Sequence, residues 1–382
     1  MMVAFLPTMT FMYPMQTSGP GIVFKEMICR IRQGAASTMP VSISTKCCYS
    51  LSHRSRHSLF SDLTLDSLWK QYKKLERKFG FSGQQPGQFE RGHAIPEQQQ
   101  ERPGLQSHLH PHPIETELPT EDGRLAQYKA SGKLTACNAL ITGGDSGIGR
   151  SIAILFAREG SNVGIVYLPQ EQEDAQATKE IIERDSGRGT ELYAGDVKDA
   201  NFAKTCVDSF ARKYGCIDIL VNNAAYQNLV GEIENLDIDQ WDLTFKTNIY
   251  SYFYFAKFAV PHMHRGGSII NMTSVHAYQG GPSFLDYSST KGAIVTFTRA
   301  LSNQLIGRGI RVNAIAPGPI WTPLIAATIP KDKIPSFGHS APMQRPGQPS
   351  EVAAPAVFLA SNDSSYISGS VLHPNGGTIT NS

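Results

Sequence analysis

The sequence predicts an α/β chain built on one doubly wound parallel sheet, with helices on both faces and an N-terminal extension. Three observations carry that reading. From Leu134 onward, short apolar runs alternate with helix-length amphipathic stretches. The apolar runs are nearly continuous in Val, Ile and Leu, as strands buried on both faces of a parallel sheet are. The first of them, "NALITGG", runs into a glycine cluster that opens the first helical stretch. Alternation repeated this often gives a Rossmann-type fold, and residues 134–382 fit one such domain without a separate substrate domain.

In chain order, the predicted strands are "NALITGG", "NVGIVYL", "TELYAGDV", "CIDILVNNAA", "GSIINMTS", "IRVNAIAPG" and "GSVLHPNGG". Between them stand helical stretches whose apolar residues recur at three and four, such as Ile152, Leu155 and Phe156, or Ile294, Phe297, Leu301 and Leu305.

Two segments precede this domain. Residues 1–61 hold six basic residues (Lys25, Arg30, Arg32, Lys46, Arg54, Arg56) against the single acid Glu26. With no lasting hydrophobic period, they read as an organelle transit peptide, most plainly mitochondrial, or as a disordered leader on a cytoplasmic protein. Residues 62–133 open with a short amphipathic helix from Asp62 to Gly80, then turn rich in Gln, Pro and His. So few apolar residues predict an irregular arm, extended or disordered. His108, His110 and His112 alternate across prolines and read as a solvated tract, so no metal site is expected.

Over all 382 residues, 41% are hydrophobic and 18% charged, with a net charge of +2. That is an ordinary globular balance and gives no argument for nucleic acid or a membrane surface as partner. No apolar run approaches the roughly 20 residues of a membrane span. The six cysteines form no Cys-x-x-Cys pair, which suggests reduced thiols.

The first strand–helix junction, "ITGGDSGIGRSIA", spaces Gly143, Gly147 and Gly149 as Gly-x-x-x-Gly-x-Gly. Glycines there let backbone approach a pyrophosphate, whose charge meets the free amides of the next helix. In this context the cluster predicts a dinucleotide site including Ser146 and Ile148. Tyr167 and Leu168 end the second strand, where an acid would hold the adenosine ribose; Glu171 falls slightly too late. No acid then repels a 2′-phosphate, which favours NADP(H), with NAD(H) possible because no arginine stands at Ser146 or Leu168. Asp196 and Val197, then Asn223, Ala224 and Ala225, end later strands and should line the same groove.

"SVHAYQGGPSFLDYSSTK" sets Ser274, Tyr287 and Lys291 where a strand end, a loop and a helix start can bring them together. A nicotinamide supplies hydride but no proton, so carbonyl reduction also needs a positioned acid. Tyrosine can serve, and an ammonium one helical turn away favours its phenolate in the reverse direction. Ser274 can hydrogen-bond the substrate oxygen. Tyr-x-x-x-Lys alone is expected about once by chance in a chain this long. Its position after a glycine-loop strand and "NNAA" makes it informative.

In that combination the chain resembles the short-chain dehydrogenases/reductases, over about residues 134–382. The resemblance implies that Tyr287 is the general acid/base and that Lys291 lowers its pKa and holds the nicotinamide ribose. It further implies that Ser274 orients the carbonyl and that Asn248, in "FKTNIYS", anchors a proton-relay water. "APGPIWTPL" resembles the nicotinamide cradle, with Pro317 and Gly318 shaping the turn and Ile320 and Thr322 reaching the carboxamide. A homo-oligomer, a tetramer, is implied as well.

"TGGDSGIGR", "YLPQEQEDA" and "DILVNNAAYQ" are similar to the glucose/ribitol dehydrogenase-like and NADPH-dependent aldehyde reductase group, which also carries a Gln/Pro-rich arm. "NNAA" and "LHPNGG" depart from the commoner Asn-Asn-Ala-Gly and Val-Asp-Gly-Gly. His373 in the latter reads as a packing or subunit-contact residue. Residues 321–349 should form the substrate lid, with Leu324, Ile325 and Phe337 beside Lys331, Lys333 and His339; Tyr226, Gln227, His276 and Tyr278 could face substrate too. The mixture suits a small aldehyde or a polyol. A 3-oxoacyl thioester reductase shares the same residues, and a dinucleotide-sensing binding protein without turnover is the non-enzyme alternative.

Overall fold

The structure is a computed structural model that describes residues 87–122 and 124–380, with the backbone of three strands upstream. The chain divides into two units, Met1–Ser82 and Gly83–Ser382. In the first, Thr8–Gln16 pairs antiparallel with Ile22–Ile31, whose end pairs with Ile43–Ser44. The helix expected over Asp62–Gly80 lies outside the described residues, as does most of the expected leader.

The second unit is built on a seven-stranded sheet. Its strands are β1 (Asn138–Thr142), β2 (Asn162–Tyr167), β3 (Thr190–Ala194), β4 (Ile219–Asn222), β5 (Ser268–Met272), β6 (Arg311–Ile315) and β7 (Val371–Leu372). They lie in the order β7-β6-β5-β4-β1-β2-β3, every neighbouring pair parallel. Chain order reverses between β1 and β4, which opens a crevice at the carboxyl ends of the strands.

The predicted helices form between them: α1 (Gly147–Arg158), α2 (Gln172–Ser186), α3 (Ala200–Tyr214), α4 (Ile238–Phe245), α5 (Ser251–Ala259), α6 (His276–Gln279), α7 (Leu285–Leu305), α8 (Pro323–Thr328) and α9 (Pro349–Ala360). Successive residues of β1 serve opposite faces, as a strand's pleat requires. Ile141 packs with Leu155 and Phe156 of α1 and Val357 of α9, whereas Leu140 packs with Phe210 of α3 and Phe255 of α5. No helix among the described residues is long and apolar enough to cross a membrane.

The described part of the arm is irregular apart from a 3-10 turn, Gln106–His108, and a hairpin of Glu117–Pro119 with Leu125–Gln127, and it lies against the domain. Ile95 and Leu109 are each only 2% exposed and cluster with Trp321, Ala326 and Ile334. Burying two such side chains contributes about 1.5–3 kcal/mol each. The arm lacks a core of its own and borrows one. Polar contacts complete the docking: Trp321 Nε1 donates to the Pro111 carbonyl (2.8 Å), and Gln348 Oε1 accepts from the Ile114 amide (2.9 Å).

Candidate active site

The crevice is a cavity of about 520 Å³. Its coenzyme end is built by the glycine loop between β1 and α1. Gly143 and Gly147 take φ of +62° and +51°, a region that side chains disfavour. A Cβ on Gly149 would stand 1.9 Å from the Gly143 carbonyl oxygen, so only glycine lets the helix start so close beneath the loop. Asn223 at the end of β4 ties the loop down, its Nδ2 donating to the carbonyls of Thr142 (3.1 Å) and Gly143 (2.9 Å). Thr142 Oγ1 in turn accepts from the amides of Asn223 (2.9 Å) and Ala224 (3.1 Å). Gly143, Ser146, Gly147, Ile148, Tyr167, Leu168, Asp196, Val197, Asn223, Ala224 and Ala225 all line the cavity, as do Pro317, Gly318, Ile320 and Thr322. Gly149 acts from behind it.

The reacting end lies where β5 meets α7. Ser274, Tyr287 and Lys291 all line the cavity, and the Ser274 side chain hydrogen-bonds the Tyr287 phenol. Burial pushes that phenol up to about 12, with the Ser274 bond pulling it back. Lys291 is 2% exposed and its Nζ donates to the Met272 carbonyl (2.8 Å), 5.2 Å from the centroid of the Tyr287 ring. Burial pushes its ammonium down to about 7. Sequence reasoning expected Lys291 to lower the Tyr287 pKa; within the protein alone burial raises the phenol, and the bond that opposes it comes from Ser274.

Asn248 is brought beside the site but not onto its surface. It sits in a π-turn, Lys246–Tyr250, between α4 and α5 and is fully buried. Its Nδ2 donates to the Tyr226 carbonyl (2.9 Å) and Thr290 Oγ1 (3.0 Å), and its Oδ1 accepts from the Tyr226 amide (2.7 Å). One amide proton thus goes to the backbone of Tyr226 and the other to the Thr290 hydroxyl, which leaves neither side-chain proton to donate to a relay water.

Of the residues expected on the substrate side, Tyr226, Gln227, Leu324 and Ile325 line the cavity, whereas His276, Tyr278, Lys331, Lys333, Phe337 and His339 do not. The later part of the expected lid turns away, because Ile334 and Phe337 join the apolar cluster under the arm and His339 Nε2 contacts the His93 carbonyl at 2.9 Å. His276 stands close behind, its ring 6.0 Å from that of Tyr287. Tyr278 packs on His373, their rings 5.1 Å apart.

Two carboxylates enter the coenzyme end that sequence reasoning did not place there. Glu171 lies in a 3-10 turn after β2, Pro169–Glu171, which folds it back into the cavity with its Oε2 accepting from the Leu168 amide (3.3 Å). Burial, then the nearby Asp145 carboxylate, push Glu171 up to about 8. Asp145 is 1% exposed with Oδ2 unpartnered, and burial pushes it up to about 6. The expectation that no acid stands at this end of the cleft is therefore corrected. No strand-end count finds Glu171, because one tight turn shifts it back by a few residues.

The arm supplies the other missed residues. Arg102, Pro103 and Gly104 line the cavity. Arg102 Nη1 donates to the Tyr226 hydroxyl (2.9 Å) and Nη2 to Asn228 Oδ1, with the guanidinium 5.3 Å from the Tyr226 ring centroid. A Cβ on Gly104 would meet the Pro323 carbonyl at 2.7 Å, so the arm lies directly on α8.

Comparison with known proteins gives the chain its relatives. A family model described as enoyl-(acyl carrier protein) reductase matches residues 143–378. A glucose and ribitol dehydrogenase of Daucus carota is 44% identical over 294 residues, 76% of this chain and 98% of that one. The chloroplastic NADPH-dependent aldehyde reductase 1 of Arabidopsis thaliana is 49% identical over 261 residues, 67% of this chain and 91% of that one. A solved short chain dehydrogenase from Burkholderia cenocepacia J2315, in complex with NADP, aligns with a TM-score of 0.61 at 30% identity, covering 64% of this chain and 98% of that one.

Proposed function

The chain belongs to the short-chain dehydrogenase/reductase family, and from that premise we propose that it reduces small aldehydes with NADPH as coenzyme. The observation that carries the proposal is the placing of Ser274, Tyr287 and Lys291 on the wall of a cavity whose far end is the glycine loop. The residues fit a dinucleotide: Gly149 leaves no room for a Cβ beneath the loop, and the loop passes straight into the amino end of α1. When bound, the coenzyme supplies the hydride.

The chain's own residues do the rest. Ser274 orients the carbonyl oxygen, Tyr287 holds the proton that this oxygen takes up, and Lys291 holds the ribose and, once charged, favours the phenolate that remains. Pro317, Gly318, Ile320 and Thr322 enclose the nicotinamide, while the loop and the ends of β2 to β4 hold the adenosine half.

NADP(H) is favoured over NAD(H) by the Arabidopsis and Burkholderia relatives, not by a lack of acids. Glu171 and Asp145 are raised by burial, so Glu171 is largely neutral at pH 7 and repels a 2′-phosphate less than a free glutamate would. Polyol oxidation is the second reading, favoured by the Daucus relative. A thioester reductase is a third, suggested by the description of the family model. The full chain should be offered NADPH or NADH with short aldehydes or a 3-oxoacyl thioester, then NADP or NAD with glucose and ribitol. Aldehyde turnover with NADPH is the expected result; sugar oxidation with NAD alone would reverse the proposal.

We propose also a homotetramer, supported by the exposed Ile238, Trp241, Tyr250 and Phe253 along α4 and α5, and checked by light scattering. Import into mitochondria is proposed from the basic leader, with a fluorescent fusion of residues 1–61 as its check.

A further inference from the structure

Gln106 of the arm is 4% exposed, although glutamine is usually a surface residue. Its Oε1 accepts from the Gly147 amide (3.0 Å), and its Nε2 donates to Glu115 Oε1 (2.7 Å). Its own amide donates to Asp174 Oδ2 (2.6 Å) at the start of α2. Glu115 is paired in turn with Arg150 of α1 (2.8 Å). Gln106 is therefore fixed through its backbone from α2 and through its side chain from α1 and the arm itself, and its side-chain acceptor is spent on the glycine loop.

Gly147 is the first residue of α1, where four amides have no partner within the helix. The Arg150 amide makes the first regular bond of the helix, to the Ser146 carbonyl (3.0 Å), so the four are those of Ser146, Gly147, Ile148 and Gly149. The Gly147 amide goes to Gln106, and the two that follow it, Ile148 and Gly149, stay open to a phosphate together with Ser146. Gly147 also sits at φ +51°, a conformation that glycine leaves readily for others. A bond from a buried, rigidly held acceptor removes that freedom. Gly104, two residues upstream, is pressed against the Pro323 carbonyl, so the arm cannot shift toward α8 to release it.

We propose that Gln106 is a positioning residue for the coenzyme: it holds the Gly147 peptide so that the next two amides are preset for the pyrophosphate. The arm is thereby a working part of the site. The inference rests on the dinucleotide reading above and concerns a residue outside the Rossmann-type domain.

The test uses the full-length protein and direct titration with NADPH and with NADH, followed by fluorescence. Gln106→Met keeps the length and volume of the side chain and removes the amide. Its coenzyme Kd should rise about tenfold or more, while the KM for aldehyde and the melting temperature of the unliganded protein stay close to wild type. Gln106→Glu should weaken binding further, because it sets a carboxylate against Glu115 and Asp174. Hydrogen exchange gives a second readout, with faster exchange expected at residues 143–150 of Gln106→Met than of wild type. An unchanged Kd would overturn the proposal, as would a lower one, which would make Gln106 a competitor of the phosphate. A fall in melting temperature with coenzyme and aldehyde KM rising together would reduce Gln106 to a structural contact. Failure of wild type to bind either coenzyme would instead remove the dinucleotide reading itself.

Discussion

Residues 134–322 bring their cleft residues to the carboxyl end of the sheet, on strand ends and on the helices and loops beside them, whereas Arg102, Pro103 and Gly104 reach the same cleft from an irregular segment. The first region is held by a continuous apolar core on both faces of the sheet. The second is held by Ile95, Leu109 and a set of individual hydrogen bonds. The difference teaches that one cleft can divide its work. In the function proposed above, the sheet side carries the groups that react and the arm positions groups that hold the coenzyme.

If that division is right, damage on the sheet side should cost far more than damage on the arm. The largest effect is expected for Tyr287→Phe, which removes the proton donor and little else. Turnover should fall about a thousandfold, within the range general acid catalysis contributes, with coenzyme affinity retained. Comparable turnover in the variant, followed by coenzyme absorbance, would move the acid to another group.

Gly149→Ala comes next, since its Cβ would overlap the Gly143 carbonyl oxygen. Coenzyme affinity should drop at least a hundredfold, with a lower melting temperature. Normal binding by calorimetry would mean that the loop yields more easily than a packed core does.

A smaller effect concerns pH. Glu171 is neutral below about 8 and charged above it, so repulsion of a 2′-phosphate grows as pH rises through that value. The Kd for NADPH should rise several-fold between pH 6.5 and 9 relative to that for NADH, and Glu171→Gln should flatten the ratio. A ratio already flat in wild type would place the 2′-phosphate away from Glu171.

The smallest effect belongs to the arm's own surface. Arg102→Ala should raise the aldehyde KM only a few-fold, with the coenzyme Kd unchanged. A loss as large as that of Tyr287→Phe would erase the distinction between the two regions.

How far each region could be foreseen follows from the same contrast. The Ser274–Lys291 spacing was legible because one strand end, one loop and one helical turn fix where its three side chains meet. The glycine loop was legible because its spacing joins a strand to a helix. Arm contacts follow no period: Pro111 and Trp321 meet across 210 residues, and nothing near either announces the other. Of the expected lid, Leu324 and Ile325 reach the cleft, whereas Ile334 and Phe337 pack beneath the arm, a surface that does not exist until the arm is in place. Asn248 was found by its motif, but the π-turn that aims it at Tyr226 leaves no mark in a helical repeat.

The indole of Trp321 has a further consequence. It is fully buried, its N–H is bonded to the arm, and the next residue, Thr322, lines the cleft. The chain has three tryptophans, and of the others Trp241 is exposed on α4 while Trp69 lies outside the described residues. Undocking the arm would carry water to an indole that is now dry and shift its emission to the red. The protein thus contains its own optical gauge of whether the arm is seated.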